Sequence, residues 1–584
     1  MSLRTASSTG LAIARRRQFV STCKGVKRSF AAQAGAATQP EECDIVIVGG
    51  GPAGLALASA LGSSNAIGKQ LGVTLVEAGD LAKVRDWNMP TGAYSNRVVS
   101  LTNASEGFLQ SIGAWDHVDA QRTCPMEDMQ VWDGVSGARI EFNARDLGFA
   151  RSSGFSQMAR LTEVLNLQRA LLRQLDGHPY VNLIDKTKVD TIQREEGEGN
   201  GWPLVHLSNG KTLRARLLVG ADGFNSPVRS YAGIGSFGWS YDTTAIVATL
   251  LHSPRTVVPN TTAYQRFLPT GPIAFLPLSP TASSLVWSTK PPLAAALSKG
   301  DPEILASMIN AAFRLPEVSL RYLHDRILDS VKSGSMLTAN EIKDEIVWRE
   351  HSHSIDAHSA YASASVDPAV VNIGIPPVGA ELLPPLVEGI QPGTAASFPL
   401  RFNHTEQYIG EGAGARTVLV GDAAHTVHPL AGQGLNLGLA DVECLARCIE
   451  TAALRGGDIG SHTALLPYAR ERYFENHKLM SVMDKLHKLY TTTLPPVVWA
   501  RTVGLEIVNE LDSLKAGIMT SAGSTRREGQ RASPVWNLAA SGFEGVMGGS
   551  RLAGVVGGAL RATAAGALQQ LAKAAAGAQA EQHR

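Results

Sequence analysis

Acidic residues are absent from the first 40 positions of this 584-residue chain, although the whole chain carries 52 of them against 53 Lys and Arg. The same 40 positions hold seven Lys/Arg and nine Ser/Thr, among them Arg15-Arg16-Arg17 and Arg28-Ser29-Phe30. A basic, hydroxyl-rich start without a long apolar core argues against a secretory signal and reads as a mitochondrial transit peptide over residues 1–40. The remainder has 46 basic and 52 acidic residues, a formal charge of −6, and no nucleic-acid partner is expected. Cysteine is scarce: Cys23, Cys43, Cys124, Cys444 and Cys448, with no CxxC pair. That excludes a disulfide-stapled scaffold, and no Cys/His grouping has zinc-ligand spacing, so no metal is expected. Uninterrupted apolar runs of about 20 residues are missing too, so no membrane-spanning helix is expected.

Glycine is plentiful, and its placement carries the chemistry. The stretch DIVIVGGGPAGLALASALGS, residues 44–63, begins with a short β-branched run, Ile45 to Val48, as a buried parallel strand does. Gly49, Gly51 and Gly54 then match G-x-G-x-x-G, and Leu55, Leu57 and Leu61 continue as a helix. Such a loop brings backbone close to a pyrophosphate and aims a helix N-terminus at it. A second strand, Val73–Val76, ends in Glu77, an acid placed to accept from ribose hydroxyls. Its charge repels a 2′-phosphate, which leaves FAD or NAD as the dinucleotide.

Two later strands run into loops of the same kind. LLVGADGFNSPVR (217–229) holds Gly220-Ala221-Asp222-Gly223, Ser226 and Arg229, and RTVLVGDAAHTVHPLAGQGLNLGLADVECL (416–445) reaches Gly421-Asp422. With these, the chain resembles the FAD-dependent aromatic hydroxylases of the p-hydroxybenzoate hydroxylase type. Arg97-x-x-Ser100-Leu101-Thr102-Asn103-Ala104-Ser105, AYQRFLPTGPIAFLPL and Ser397-Phe398-Pro399-Leu400 make it most similar to the mitochondrial ubiquinone-biosynthesis hydroxylases that act on ring carbon 5 of a polyprenylated phenol. The resemblance covers roughly residues 43–525.

It implies an α/β fold: a Rossmann-type FAD-binding domain (43–120, 156–235 and 405–470) with an inserted antiparallel β-sheet substrate domain (121–155 and 236–404). C-terminal helices (471–525) and a Gly/Ala-rich tail (526–584) follow. Residues 331–380, centred on HSHSIDAHSAYASASVD, read as an insertion partly lacking regular structure, with His351, His353 and His358 in a solvated loop. The resemblance also implies roles. Gly49, Gly51, Gly54, Glu77, Asp222, Gly223, Gly421 and Asp422 bind FAD, and Arg97, with Arg160 as a second choice, reaches its pyrophosphate. Pro429 lies against the flavin, and Gly432, Gln433, Gly434, Leu435 and Asn436 start a helix facing the ring's pyrimidine edge, where reduction places negative charge. His425 is then a hydrogen-bonding strut, and a metal at His425-x-x-His428 lacks a third ligand.

The implied reaction joins reduced FAD, O2 and a phenol through a C4a-hydroperoxide that must be shielded from water. Phe275-Leu276-Pro277-Leu278 and Phe398-Pro399 are read either as the dry wall or as ordinary core. Ferredoxin and its reductase are the implied electron source, with Arg470, Arg472, Lys478, Lys485 and Lys488 as a docking patch or simply a solvated face. The implied setting is the matrix side of the mitochondrial inner membrane, peripheral and within a larger biosynthetic assembly. Leu494–Trp499 and the tail are the apolar segments offered for membrane contact. Two other readings stay open: an NAD(P)H-driven hydroxylase of a small soluble aromatic, and a flavin-bearing scaffold of a biosynthetic complex.

Overall fold

The computed structural model describes residues 39–65, 67–145, 157–196, 201–255, 259–335, 337–367, 376–428, 432–511 and 515. The basic start, Pro429 and the Gly/Ala-rich tail lie outside them.

Strand Glu41–Val48 is central to a sheet of seven strands among the described residues. It pairs in parallel with Val73–Val76 on one side and Thr212–Gly220 on the other, and Thr417–Leu419 runs parallel to the latter. Val48 lies opposite both Val76 and Gly220, and Gly220 lies opposite Leu419. Four strands therefore end level, and the three glycine-bearing loops and Glu77 emerge at one carboxyl edge, where open α/β sheets bind ligands. Helices Pro52–Ser63 and Gln433–Leu454 pack together over a core that includes Ile45, Ile47, Leu55, Leu218 and Leu445.

Among the described residues, a second sheet of nine strands is antiparallel except where Asp128–Asp133 runs parallel to Thr262–Leu268. Its long strand Ser236–Leu251 pairs with Ala282–Thr289 and Ala396–Thr405. The two-residue strand His425–Thr426 is the last in this sheet, so the chain passes directly from the Gly421-Asp422 loop into it. Alternation splits the Gly271–Ser279 strand. Phe275 packs among the helices that cover one side, while Leu276 packs with Met129 and Val427 in another cluster.

Four helices, Pro291–Lys299, Pro302–Arg314, Glu317–Ser333 and Ala339–Ser352, cover one face of this sheet around Trp287, Phe275 and Phe313. They add a helical layer to the expected antiparallel sheet. Pro291 and Pro302 open helices, where a missing N–H costs nothing. Within 331–380, Ala339–Ser352 is a helix, and 353–367 have no regular secondary structure. Thr338 and Glu341 form a capping box, and Ile342 and Ile346 are buried. The serine-rich stretch wraps a buried carboxylate: Glu350 accepts from Ser363 N (2.8 Å), Ser363 Oγ (2.6 Å), Ala364 N (3.1 Å), Ser365 N (2.9 Å) and Ser365 Oγ. His353 bonds Ser319 (2.8 Å), and His358 spans Asp356 (3.0 Å) and Asp367 (3.3 Å). Glu350→Gln is expected to cost about 1–3 kcal/mol, because several donors then share a neutral acceptor. Faster amide exchange at 363–365, with FAD content unchanged, checks it.

The last described helices are His462–Thr491 and Pro495–Glu510. Arg501 holds the second one down. It makes two 2.9 Å bonds to buried Asp133 and donates to the Leu489, Tyr490 and Thr492 carbonyls that end the first. No helix among the described residues is long and apolar enough to cross a membrane.

Candidate active site

The first glycine loop is held from below by backbone. Gly49 N donates to Val76 O (2.8 Å), and Ala221 N donates to Val48 O (2.8 Å). A Cβ on Gly49, whose φ is +112°, would lie 2.3 Å from Ala221 O, and one on Gly54 would lie 1.9 Å from Gly49 O. Those two glycines are required by the fold. Gly51 is different: a Cβ there meets nothing within 4 Å, and its φ is an ordinary −69°. Its requirement comes from outside the polypeptide. Gly51→Val is accordingly expected to fold like the wild-type apoprotein yet lose FAD by roughly 3 kcal/mol, about 100-fold in Kd. Melting of the two apo forms and FAD titration check both halves.

Glu77 lies across this loop, its carboxylate accepting from Gly50 N (2.5 Å) and Gly79 N (2.6 Å). Asp222 Oδ2 accepts from Val228 N (3.1 Å), while its buried Oδ1 has no partner among the described residues. Burial raises its pKa, opposed by the Ser226 hydrogen bond. Gly223 completes that turn. Asp422 is solvent-exposed with no side-chain partner among the described residues, at the floor of surroundings dense enough that desolvation raises its pKa against the pull of His425. Arg97 is exposed as well, and its guanidinium has no partner there. Arg160 is not free in this way, being taken up by Glu106 (3.5 Å) and Thr123 Oγ1 (3.3 Å).

Helix Gln433–Leu454 starts at Gly432 with no side-chain cap, so first-turn N–H groups including Gln433, Gly434 and Leu435 are left without helical partners. Asn436 does not point its side chain away from the protein. Its Oδ1 accepts from Thr102 N (3.0 Å) and its Nδ2 donates to Ser100 O (2.7 Å) and Gly432 O (3.1 Å), which fixes the helix start against strand Val98–Thr102.

Two residues that sequence reasoning left without a role organise the site. Arg229 donates to Ala423 O (2.8 Å) and Phe224 O (2.6 Å), tying the second loop to the third. Asp441, wholly buried, accepts from Gly421 N (3.1 Å), His425 Nε2 (2.6 Å), Arg472 Nε (2.9 Å) and Asn476 Nδ2 (2.8 Å). His425 is thus a strut against Asp441. Arg472 is removed from the proposed cationic patch, since it lies inside the protein. Of the others, Lys478 pairs with Glu475 (3.2 Å) and Lys488 with Asp484 (2.6 Å).

A family model described as a FAD binding domain matches residues 42–319 and 392–480, leaving aside 320–391, which contains the 331–380 segment. The chain is 38% identical to ubiquinone biosynthesis monooxygenase COQ6, mitochondrial, of Schizosaccharomyces pombe, over 82% of this chain and 91% of that one. It belongs to the COQ6 family. The Saccharomyces cerevisiae member is 38% identical over 84% of this chain and 95% of its own length, and the human member 36% over 82% and 92%. Solved structures share the COQ6-family fold at low identity. PqsL from Pseudomonas aeruginosa (20% identical, 80% of this chain and 100% of that one) has a TM-score of 0.53, and p-nitrophenol 4-monooxygenase PnpA from Pseudomonas putida (15%, 83% and 100%) has 0.54. The cofactor is FAD, and the open face at Gly51, the unpartnered Arg97 and Asp422 and the uncapped helix fit it.

Proposed function

We propose that this COQ6-family chain hydroxylates ring carbon 5 of a 4-hydroxy-3-polyprenylbenzoate-type phenol in ubiquinone biosynthesis, using O2 and electrons from ferredoxin and its reductase. The observation that carries the reading is the level ending of four strands, which gathers Gly51, Glu77, Asp222 and Asp422 at one edge, in a chain 38% identical to COQ6 of S. pombe over most of both lengths. Bound FAD supplies the activation of dioxygen. The protein does the rest. Gly51 admits the pyrophosphate, Arg97 neutralises it, Glu77 accepts from ribose hydroxyls, and Asp422 accepts from the ribitol or ribose. The first-turn N–H groups of Gln433, Gly434 and Leu435 stabilise negative charge at the pyrimidine edge.

The chain works on the matrix side of the mitochondrial inner membrane, beside other ubiquinone-biosynthesis proteins. A polyprenyl substrate resides in the bilayer, and Leu494 and Trp499, 63% and 69% exposed, offer an apolar, interface-seeking contact. Mass analysis of quinone precursors in cells lacking this chain tests the reaction. Accumulation of a precursor missing only the C5 oxygen is expected, and a precursor missing a different oxygen, or undiminished ubiquinone, overturns it.

A further inference from the structure

Three buried imidazole nitrogens without partners meet where the FAD loop joins the second sheet. His428 is 1% exposed, and neither ring nitrogen has a hydrogen-bond partner among the described residues. His487 is buried too, and its Nδ1 is likewise unpartnered. The two ring centroids are 4.8 Å apart, and Tyr241 meets them edge-on at 5.0 and 4.8 Å. Tyr241 and Asp484 beside the rings are already engaged. Tyr241 OH donates to Asp484 Oδ1 (3.1 Å), and Asp484 Oδ2 pairs with Lys488.

Their origin is informative. His428 follows the third FAD loop and strand His425–Thr426, Tyr241 comes from the long strand of the second sheet, and His487 comes from helix His462–Thr491. Helix Gln433–Leu454, whose first turn faces the flavin in the reading above, begins five residues after His428. Phe402, Leu437 and Met480, with Val427, form an apolar cluster that also takes in Tyr241.

Folded proteins pair nearly all buried polar atoms, because an unmade bond costs the desolvation of its group. Three unmade bonds in one ring cluster therefore point to a ligand. Burial, then the neighbouring His487, holds the His428 pKa down at about 3, so the ring is neutral and offers one lone pair and one N–H. Neutral rings suit an uncharged hydroxyl on an aromatic ring better than a free anion.

We propose that His428, positioned by His487 and Tyr241, recognises the hydroxyl of the aromatic substrate, the O–H donating to the imidazole lone pair. The inference rests on the substrate being a phenol. It makes His428 a specificity-determining residue, because a site built to receive a hydroxyl rejects the analogue that lacks one.

The test uses the FAD-loaded protein, calorimetric titration, 4-hydroxy-3-prenylbenzoate and its methyl ether. Wild type is expected to bind the phenol at least about 100-fold more tightly than the ether. His428→Leu is expected to keep its FAD, bind the two within about threefold of each other, and melt no lower than wild type, since two unsatisfied nitrogens have been removed. His428→Gln, with an amide oxygen to accept, is expected to recover part of the discrimination. A His428→Leu protein that still discriminates about 100-fold, or that unfolds, overturns the assignment, as does a wild type that binds both compounds equally. A wild type that holds FAD yet binds neither compound defeats the phenol reading itself, and this inference with it.

Discussion

Asp441→Ala is expected to empty the FAD site and to destabilise the protein by about 3–5 kcal/mol. The carboxylate is fully buried and serves four donors from three parts of the chain: the Gly421 amide, His425, and Arg472 with Asn476. Burial alone pushes its pKa up. The charge and hydrogen bond of His425, the Arg472 charge and the Asn476 bond outweigh that and hold it at about 2. Removing the carboxylate leaves the Arg472 guanidinium buried without its counter-charge, which is the costly way to break a buried pair. It also frees the Gly421 amide, so the loop bearing Asp422 loses its anchor. Asp441→Asn keeps the shape and one acceptor but no charge, and is expected to fall between alanine and wild type. Thermal unfolding and FAD per chain after gel filtration measure both effects. A protein that melts normally and stays fully loaded would show that the loop is held by something else.

Acid is expected to unfold the protein well before carboxylates titrate. Burial lowers the pKa of His324 and His404 to about 4 and that of His428 to about 3, against about 6.5 in an unfolded chain. A drop from 6.5 to 4 corresponds to about 3 kcal/mol for one group. The sign follows from proton binding. In this range the unfolded state holds more protons, so stability falls as pH descends from about 6.5 toward 4, and levels only once the folded rings also protonate. Asp441 acts in a lower window. Its depressed pKa contributes stability above about 4 that is lost as pH falls toward 2. Melting temperature measured from pH 7 to 4 is expected to fall steeply, with up to about three protons taken up per unfolding event near pH 5. A flat profile down to pH 5 would contradict it. His428→Leu removes one of the three rings and is expected to shallow the slope.

What could be read in advance was local. The glycine loop, Glu77 at a strand tip and the Gly421-Asp422 turn each announce themselves within a few residues, because strand, turn and helix requirements are written consecutively. Partnerships across distance could not be read that way. Asp441 stands on the same helical face as the buried Leu437 and Leu445, a charge in an apolar stripe, and that spacing was a usable signal. Its partners Arg472 and Asn476 lie 31 and 35 residues further on. Arg472 looked like a surface cation for the same reason: its face is decided by a neighbour that periodicity does not name. Ser363 and Ser365 had the composition of a solvated loop, yet their acceptor, Glu350, sits 13 to 15 residues upstream on a helix. Arg160 matched a family expectation by type, but its guanidinium is engaged by Glu106.

FAD content measures most directly whether the three loops gathered at one sheet edge hold the cofactor. Wild-type protein incubated with FAD and passed through gel filtration is predicted to carry one flavin per chain, while Gly51→Val elutes folded and colourless. Wild-type protein that emerges folded but without flavin, or a Gly51→Val form as yellow as wild type, would contradict it.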